Sequence, residues 1–167
     1  MTDKPEDVDR TFIIAVYLAD NTVAVFEPPM RNSGIIGGKF LERSRATDPT
    51  RGGVYYEPHD FFVGAMVTIY SQPFKIHKCD QYTLNFMEAN VADFPLADVE
   101  RVVAAIKSPE LAAACAAKAP EGPIDVVDFR AALAEGGVEL KDQEVIALLR
   151  KYDADGTGAI HHAAMLA

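Results

Sequence analysis

The sequence predicts an α+β protein in which a small antiparallel β-domain is followed by an all-helical region. Alternating runs of β-branched and aromatic residues, separated by turn-forming residues, fill the first half of the 167-residue chain. Apolar residues at helical spacing, preceded by good helix-start residues, fill the second half. The length fits one domain or two small ones.

The first two predicted strands form a hairpin. Thr11–Leu18 has two largely apolar faces, which is typical of a buried strand. Asp20–Asn21 supplies a two-residue turn, and Thr22–Glu27 returns as the second strand. Pro28–Pro29 ends that strand, because proline has no N–H to donate to a sheet. Lys39–Arg43 is predicted as a further short strand.

A second hairpin is predicted further along the chain. Met66–Tyr70 reads as a strand, Ser71–Pro73 as the turn, and Phe74–Lys78 as the returning strand. A helical pattern then begins at Tyr82. We therefore expect a β-domain at about residues 10–90 that is closed by a helix.

The helical half carries clear start and stop signals. Apolar residues recur at helical spacing within the predicted connecting helix, 91–107. Ser108–Pro109 combines an N-cap residue with proline at the first helical position. Helices are also predicted at 125–135, where Gly136–Gly137 follows, and along the apolar stripe at 145–152.

Composition excludes several functional classes. The chain has 16 basic and 25 acidic residues, a net charge of −9 and a pI near 4.8. A chain with this negative charge is poorly suited to bind nucleic acid by neutralising its phosphates, so we expect no nucleic-acid partner. No apolar run approaches the roughly 18 residues of a membrane span, so we expect no membrane partner. Two cysteines fit a reducing compartment better than a disulfide scaffold.

One segment runs against the acidic trend. Residues 31–51 contain five basic and two acidic side chains. One interpretation is a solvated loop, and the other is a contact surface for an acidic partner. The second interpretation predicts the following contact residues: Arg31, Asn32, Lys39, Arg43 and Arg45.

The most specific local motif lies near the end of the chain and resembles an EF-hand loop. Its predicted calcium ligands, at loop positions 1, 3, 5 and 7, are Asp153, Asp155, Thr157 and the carbonyl of Ala159. Gly158 occupies position 6, where the chain must bend. Position 12 should be a bidentate Glu and is Ala164, so any Ca²⁺ affinity is expected to be in the ~mM range or weaker.

An internal repeat predicts that this loop is one of a pair. Gly122 and Ile124 stand 36 residues before Gly158 and Ile160. In the first copy, positions 1 and 3 are alanines and position 7 is Pro123, so we do not expect it to hold Ca²⁺. The interpretation that we favour is a structural helix–loop–helix pair without functional metal.

No constellation predicts catalysis. Gly38-Lys39 suggests a phosphate loop, but Phe40 replaces the Ser or Thr that such a loop needs for magnesium. His59 beside Asp60 reads as a local cap rather than an acid–base pair. We therefore expect no enzymatic activity, no catalytic residue and no cofactor-binding residue.

Separate strings of residues 10–90 resemble the DM10 domain. They are 10–29, 31–43, Tyr55-Tyr56, Asp60, Val63-Gly64, Pro73-Phe74 and Cys79-Asp80-Gln81-Tyr82, and they match in order. The chain resembles in particular the last DM10 domain of the EF-hand-containing ciliary protofilament-ribbon proteins, which a C-terminal EF-hand region follows. Those proteins carry three DM10 domains, whereas this chain carries one. We expect either a C-terminal piece of a longer protein or a short relative.

The resemblance implies a fold and a function. It implies a pleckstrin-homology-like β-domain at 10–90 and a degenerate EF-hand pair at 108–167. Separately, we expect residues 1–9 to form a flexible segment. The resemblance also implies a structural protein of the ciliary or flagellar axoneme, namely a microtubule inner protein that stabilises doublet microtubules. The implied partners are tubulin and other axonemal microtubule-associated proteins.

Rival functions follow from the same features. The EF-hand pair suggests a calcium-responsive ciliary adaptor. DM10 domains also precede nucleoside diphosphate kinase domains, which suggests an enzyme's accessory domain, although no kinase-like segment is present. A pleckstrin-homology-like fold alone is not sufficient to predict a site for lipid headgroups.

Overall fold

The structure is a computed structural model that describes residues 10–30 and 36–167. The predicted flexible segment at 1–9 and the predicted contact residues Arg31 and Asn32 lie outside the described residues. The chain divides into two units: Met1–Phe61 with Ala65–Ile76, and Phe62–Gly64 with His77–Ala167. The described part of the first unit is built from strands and the second mainly from helices, which confirms the predicted α+β class.

A three-stranded antiparallel sheet opens the first unit. Its strands are β1 (Ile13–Tyr17), β2 (Thr22–Glu27) and β3 (Gly38–Ser44), in the order β1-β2-β3. Because β2 is central, its Val23–Val25 segment is almost fully buried. The predicted strands are confirmed, with β1 shorter at both ends than predicted.

The turn between β1 and β2 differs from the prediction. Tyr17 and Thr22 form the last pair of the ladder, so four residues make the turn instead of two. Only Asn21 takes a positive φ, of 54°. Asp20 serves the turn through its side chain, because its Oδ1 accepts hydrogen bonds from the backbone N–H and the hydroxyl of Thr22.

Two short hairpins complete the strands of the first unit. They are β4 (Thr47–Asp48) with β5 (Val54–Tyr55), and β6 (Met66–Ile69) with β7 (Gln72–Lys75). The predicted turn at Ser71–Pro73 is wrong, because Ile69 pairs with Gln72 and Tyr70-Ser71 forms the turn. Both turn residues have positive φ, as a two-residue type I′ turn requires.

Aromatic rings fill part of the first unit's interior. Phe12 lies 4.7 Å from Phe40 and 5.4 Å from Phe74, measured between ring centroids. Val67 and Ile69 from β6 are each 1% exposed. Phe12 next to β1, Phe40 of β3 and Phe74 of β7 therefore bring the three-stranded sheet and the β6–β7 hairpin into contact.

Six helices form most of the second unit. They are α1 (Gln81–Ala89), α2 (Val99–Ile106), α3 (Pro109–Lys118), α4 (Val126–Glu135), α5 (Asp142–Tyr152) and α6 (His162–Leu166). Asp80, Asp98, Ser108 and Asp125 cap the first four, each accepting a hydrogen bond from a backbone N–H of the first turn. The predicted start at Ser108-Pro109 is confirmed. Among the described residues, no helix is long and apolar enough to cross a membrane.

Two helix–loop–helix segments share one core. The loop between α3 and α4 contributes β8 (Ile124–Asp125), and the loop between α5 and α6 contributes β9 (Ala159–Ile160). These strands pair in antiparallel fashion with Ile124 opposite Ile160, as the repeat predicts. Both isoleucines are buried in the cluster that contains Phe129 and Leu148.

A buried glutamine joins two distant parts of the second unit. Gln143, in the first turn of α5, is 2% exposed. Its hydrogen-bond partner is the backbone of Val63, in the Phe62–Gly64 segment. A buried backbone N–H without an acceptor is costly. The Gln143 side chain accepts a hydrogen bond from Val63 N–H, so the two segments can pack together without that cost.

Candidate functional site

The predicted calcium loop is closed mainly by Asp153, the residue that follows α5. Its Oδ1 accepts a hydrogen bond from Thr157 N at 2.9 Å, and its Oδ2 accepts one from Gly158 N at 2.8 Å. These backbone N–H groups, with that of Gly158 contributing most, hold the pKa of the Asp153 carboxyl below its usual value. Gly156 and Gly158 have φ values of 65° and 79°, which explains the two glycines in the bend.

The second predicted ligand, Asp155, faces a histidine. Its Oδ2 lies 3.1 Å from Nε2 of His161, at loop position 9. Both side chains are partly exposed, so the loop brings a carboxylate and an imidazole together at the surface. The structure thus places Asp153 and Asp155 in one loop, each with a partner from that loop.

The first loop offers a poorer set of ligands. Its positions 1 and 3 are Ala117, in the last turn of α3, and Ala119, which follows it. Asp125, at position 9, caps α4 by accepting a hydrogen bond from Asp128 N at 2.9 Å. Asp125 therefore serves the next helix, which leaves Glu121, at position 5, and Asp128, at position 12, as the other carboxylates of this loop.

The donor set of the second loop does not fit a tightly bound calcium ion. Asp153, Asp155, Thr157 and the Ala159 carbonyl supply oxygen ligands from four loop positions, whereas Ca²⁺ takes six to eight oxygens. Ala164 places a methyl group where a bidentate carboxylate is needed. In the described part of the chain, no three His, Cys, Asp or Glu side chains are grouped so that they could hold a metal ion.

The predicted contact residues in the described part lie on or next to β3. Lys39 pairs with Glu42 at 3.0 Å. Arg43 is held more firmly, because it donates to Asp20 Oδ2 at 2.7 Å and to Thr22 Oγ1 at 2.7 Å. Its guanidinium also lies 3.8 Å from the centroid of the Tyr17 ring. Arg43 therefore fastens the β1–β2 turn to β3.

Arg45 is in a different situation. Its guanidinium lies 4.1 Å from the centroid of the Tyr55 ring, and both side chains are exposed. No carboxylate among the described residues forms an ion pair with it. A stacked guanidinium keeps its N–H groups directed to the side, where a partner's carboxylate can accept them.

Charge pairing within the first unit reveals a further cation that the sequence did not indicate. Five of the six carboxylates of its described part pair with an arginine or a lysine, and the sixth, Glu57, lies beside His59. Arg51 alone binds two of them, Asp48 and Asp60. Among the described residues of the first unit, the cations Arg45 and Lys75 remain without a carboxylate partner. The sequence analysis missed Lys75 because it counted basic and acidic residues only over 31–51. Which cations pair with carboxylates is decided by the fold.

Asp60, which the sequence places beside His59, has a structural role, and the two thiols are not activated. Asp60 accepts a hydrogen bond from Glu57 N at 2.8 Å and one from Arg51 at 2.8 Å, so it caps a short 3₁₀ turn. Burial raises the pKa of the Cys79 and Cys115 thiols, which disfavours the reactive thiolate. These groups give no positive indication of catalysis.

Comparison with protein families identifies the first half of the chain. The family model described as the DM10 domain matches residues 1–83. That range covers the strands of the first unit and reaches the first turn of α1.

Comparison with individual proteins covers the whole chain. The EF-hand domain-containing family member C2 of Danio rerio is 36% identical over 181 residues, which span 100% of this chain and 24% of that protein. The EF-hand domain-containing protein 1 of Homo sapiens is 35% identical over 166 residues, which span 93% of this chain and 26% of that protein. The chain thus spans about a quarter of the length of these relatives.

Proposed function

The chain belongs to the DM10-domain family through residues 1–83 and is homologous to EF-hand domain-containing proteins, and from this premise we propose that it is a structural protein of the ciliary axoneme. In this proposal it is a microtubule inner protein, bound to tubulin inside doublet microtubules. Neither the DM10 family nor the two relatives from Danio rerio and Homo sapiens are named as enzymes.

The proposal assigns a separate role to each segment of the chain. Residues 10–90 act as a pleckstrin-homology-like DM10 domain, residues 91–107 connect, and residues 108–167 form a degenerate EF-hand pair. Support for the pair comes from the Ile124–Ile160 ladder between two loops 36 residues apart. Support for a rigid, metal-free role comes from Asp153, whose carboxylate closes its loop with hydrogen bonds from the same loop.

The observation that carries the contact function is the unequal distribution of charge. The described part of the first unit has six basic and six acidic side chains, whereas that of the second has eight and fifteen. Tubulin is acidic, so the second unit is repelled by it and the first is not. Among the predicted contact residues, Arg45 is therefore the one best placed to bind a carboxylate of tubulin, because its guanidinium is exposed and has no carboxylate partner among the described residues.

Co-assembly with doublet microtubules tests the proposal. Tagged chain is expressed in ciliated cells, axonemes are extracted with high salt, and the fraction that stays with the doublets is measured. We expect the wild-type chain to remain and Arg45→Glu to be released. Lys151→Glu is the matched control, because Lys151 also lies over a tyrosine ring, at 6.0 Å from the Tyr152 centroid, but belongs to the second unit. Complete loss of the wild-type chain in the salt wash contradicts the proposal.

A calcium-responsive ciliary adaptor is the second candidate. The names of the relatives favour it, since both contain the term EF-hand. Calorimetry with millimolar CaCl₂ separates the two functions. A heat of binding that disappears in Asp153→Ala would support the adaptor, and its absence in the wild-type chain would support the structural role.

A further inference from the structure

The hairpin of β6 and β7 presents a tyrosine at its tip in an unfavourable backbone conformation. Tyr70 and Ser71 form the two-residue turn and have φ values of 48° and 64°. Asn-Gly is the favoured pair at such a turn, and a bulky residue with positive φ is uncommon. The hairpin beneath is well anchored, because Val67 and Ile69 are each 1% exposed and Phe74 is 9% exposed.

The strained tyrosine has no structural role in the described part of the chain that explains its presence. Its side chain is 59% exposed and makes no ring contact or hydrogen bond with another described residue. Local strain that folding does not require is found at functional positions more than elsewhere. Ser71 shares the conformation and provides no glycine to relieve it.

The outward face of the hairpin continues from this tip. Side chains alternate along a strand, so Met66 and Thr68 point away from the buried Val67 and Ile69. The ladder sets Met66 opposite Lys75 and Thr68 opposite Pro73, which makes these side chains neighbours on one face. Met66 is 59% exposed. The hairpin 66–75 contains one cation, Lys75, and no carboxylate.

We propose that this face, with Tyr70 as its anchor and Lys75 as its charged contact, is a docking surface for an acidic protein surface that has an apolar recess. The proposal rests on the proposed function, in which that partner is the lumenal face of a tubulin polymer. A tyrosine suits such a recess because its ring supplies apolar area and its hydroxyl can bond at the wet rim.

The charge of this face favours an acidic partner. Lys75 has no carboxylate partner among the described residues, and a partner's carboxylate can supply one. A second copy of the chain also offers carboxylates, because its second unit has fifteen acidic and eight basic side chains, so self-association is the competing outcome that the test must separate. Addition of a partner strand to β7 is opposed by Pro73, which has no N–H. The contact must therefore use side chains.

Relief of the strain separates docking from folding. The double substitution Tyr70→Asn with Ser71→Gly supplies the favoured turn, so the full chain should gain about 2–4 °C in Tm. The same variant lacks the anchor, so its affinity for open tubulin sheets, whose lumenal face is accessible, should fall at least tenfold. Tyr82→Asn is the control, because Tyr82 is 79% exposed in α1 and should leave affinity unchanged.

Sedimentation with tubulin sheets distinguishes the outcomes. A double variant with higher Tm and weaker binding supports the docking surface, as does weaker binding of Lys75→Glu with a reduced salt dependence. Wild-type affinity in the double variant overturns the docking surface while leaving the proposed function intact. Failure of the wild-type chain to bind the sheets overturns both. A change in self-association in place of tubulin binding also overturns the docking surface.

Discussion

Gln143 and Val63 exchange two hydrogen bonds although 80 residues separate them in the chain. The backbone N–H of Gln143 donates to Val63 O at 3.2 Å, and Oε1 of the same glutamine accepts from Val63 N at 3.1 Å. The backbone N–H and the side-chain oxygen of Gln143 thereby supply the donor and the acceptor that a neighbouring strand would offer to the Val63 backbone.

Removal of this amide should destabilise the protein. Gln143→Leu keeps the volume but leaves Val63 N–H without an acceptor, and we expect a loss of about 1–3 kcal/mol in the free energy of unfolding. Urea denaturation measures the loss, and hydrogen exchange should show faster exchange of the Val63 amide. Gln72→Leu, at an exposed strand position, is the control and should be nearly neutral. Equal stability of both variants would contradict the assigned role.

Gly37 should be intolerant of any side chain. A Cβ atom there would lie 2.6 Å from Pro29 N and 2.8 Å from Glu27 O, which are backbone atoms that cannot rotate away. Gly38 is the matched control, because it also has positive φ but has open space around its Cα. We expect Gly37→Ala to lower the free energy of unfolding by at least about 1 kcal/mol more than Gly38→Ala, from the added overlap. Thermal denaturation of the two variants checks this difference.

Acid should weaken the first unit through Asp48. Hydrogen bonds from Thr50 and Arg51 lower the pKa of the Asp48 carboxyl to about 2 from 3.8. A group with a lowered folded-state pKa binds its proton more readily when unfolded, so its stabilisation is present above pH 4 and is lost as pH falls towards 2. The Tm difference between wild type and Asp48→Asn should therefore shrink over this range. A constant difference would show that the charge is not what stabilises the turn.

Asp153 should stabilise its loop without calcium. Asp153→Ala removes the acceptors of two backbone N–H groups, and we expect the same fall in Tm in EGTA and in millimolar CaCl₂. Asp155→Ala removes only a surface contact with His161 and should have the smaller effect. A fall that occurs only in CaCl₂ would instead identify Asp153 as a metal ligand.

Arg150 should fasten α1 to α5. Its guanidinium donates to Asn85 Oδ1 at 2.6 Å and Gln81 Oε1 at 2.9 Å, and it forms an ion pair with Glu88. Arg150→Met keeps the aliphatic stem and removes these bonds, so we expect a loss of about 1–2 kcal/mol. A double-mutant cycle with Glu88→Gln measures the coupling, which should be favourable.

Local sequence signals predicted much of the fold. Ser108 caps its helix because its side chain reaches an N–H within the same turn, so the local sequence alone was sufficient to identify it. The Ile124–Ile160 pair was predicted because the two loops repeat at a fixed interval. The Tyr70-Ser71 turn was missed because tertiary packing of Val67, Ile69 and Phe74 sets the register against local preference.

Long-range partners could not be predicted in the same way. Arg43 was chosen as a contact residue from local charge, but its partner Asp20 lies 23 residues earlier and becomes close only when β3 joins the sheet. Gln143 carried no signal, since a polar residue in the first turn of a helix is ordinarily exposed. Lys75 is notable only after the other charges have been paired.

The assignment of Phe62–Gly64 to the helical unit has a practical consequence for dissecting the protein. A fragment cut at residue 83, where the family match ends, would retain Val63 but not Gln143, and would expose an amide that the intact chain keeps buried. A fragment beginning at residue 77 would lose the reciprocal half of that bond. Each recombinant half should therefore be less stable on its own than the same residues are in the intact chain. Co-expression of the two pieces is the better route to separating their activities.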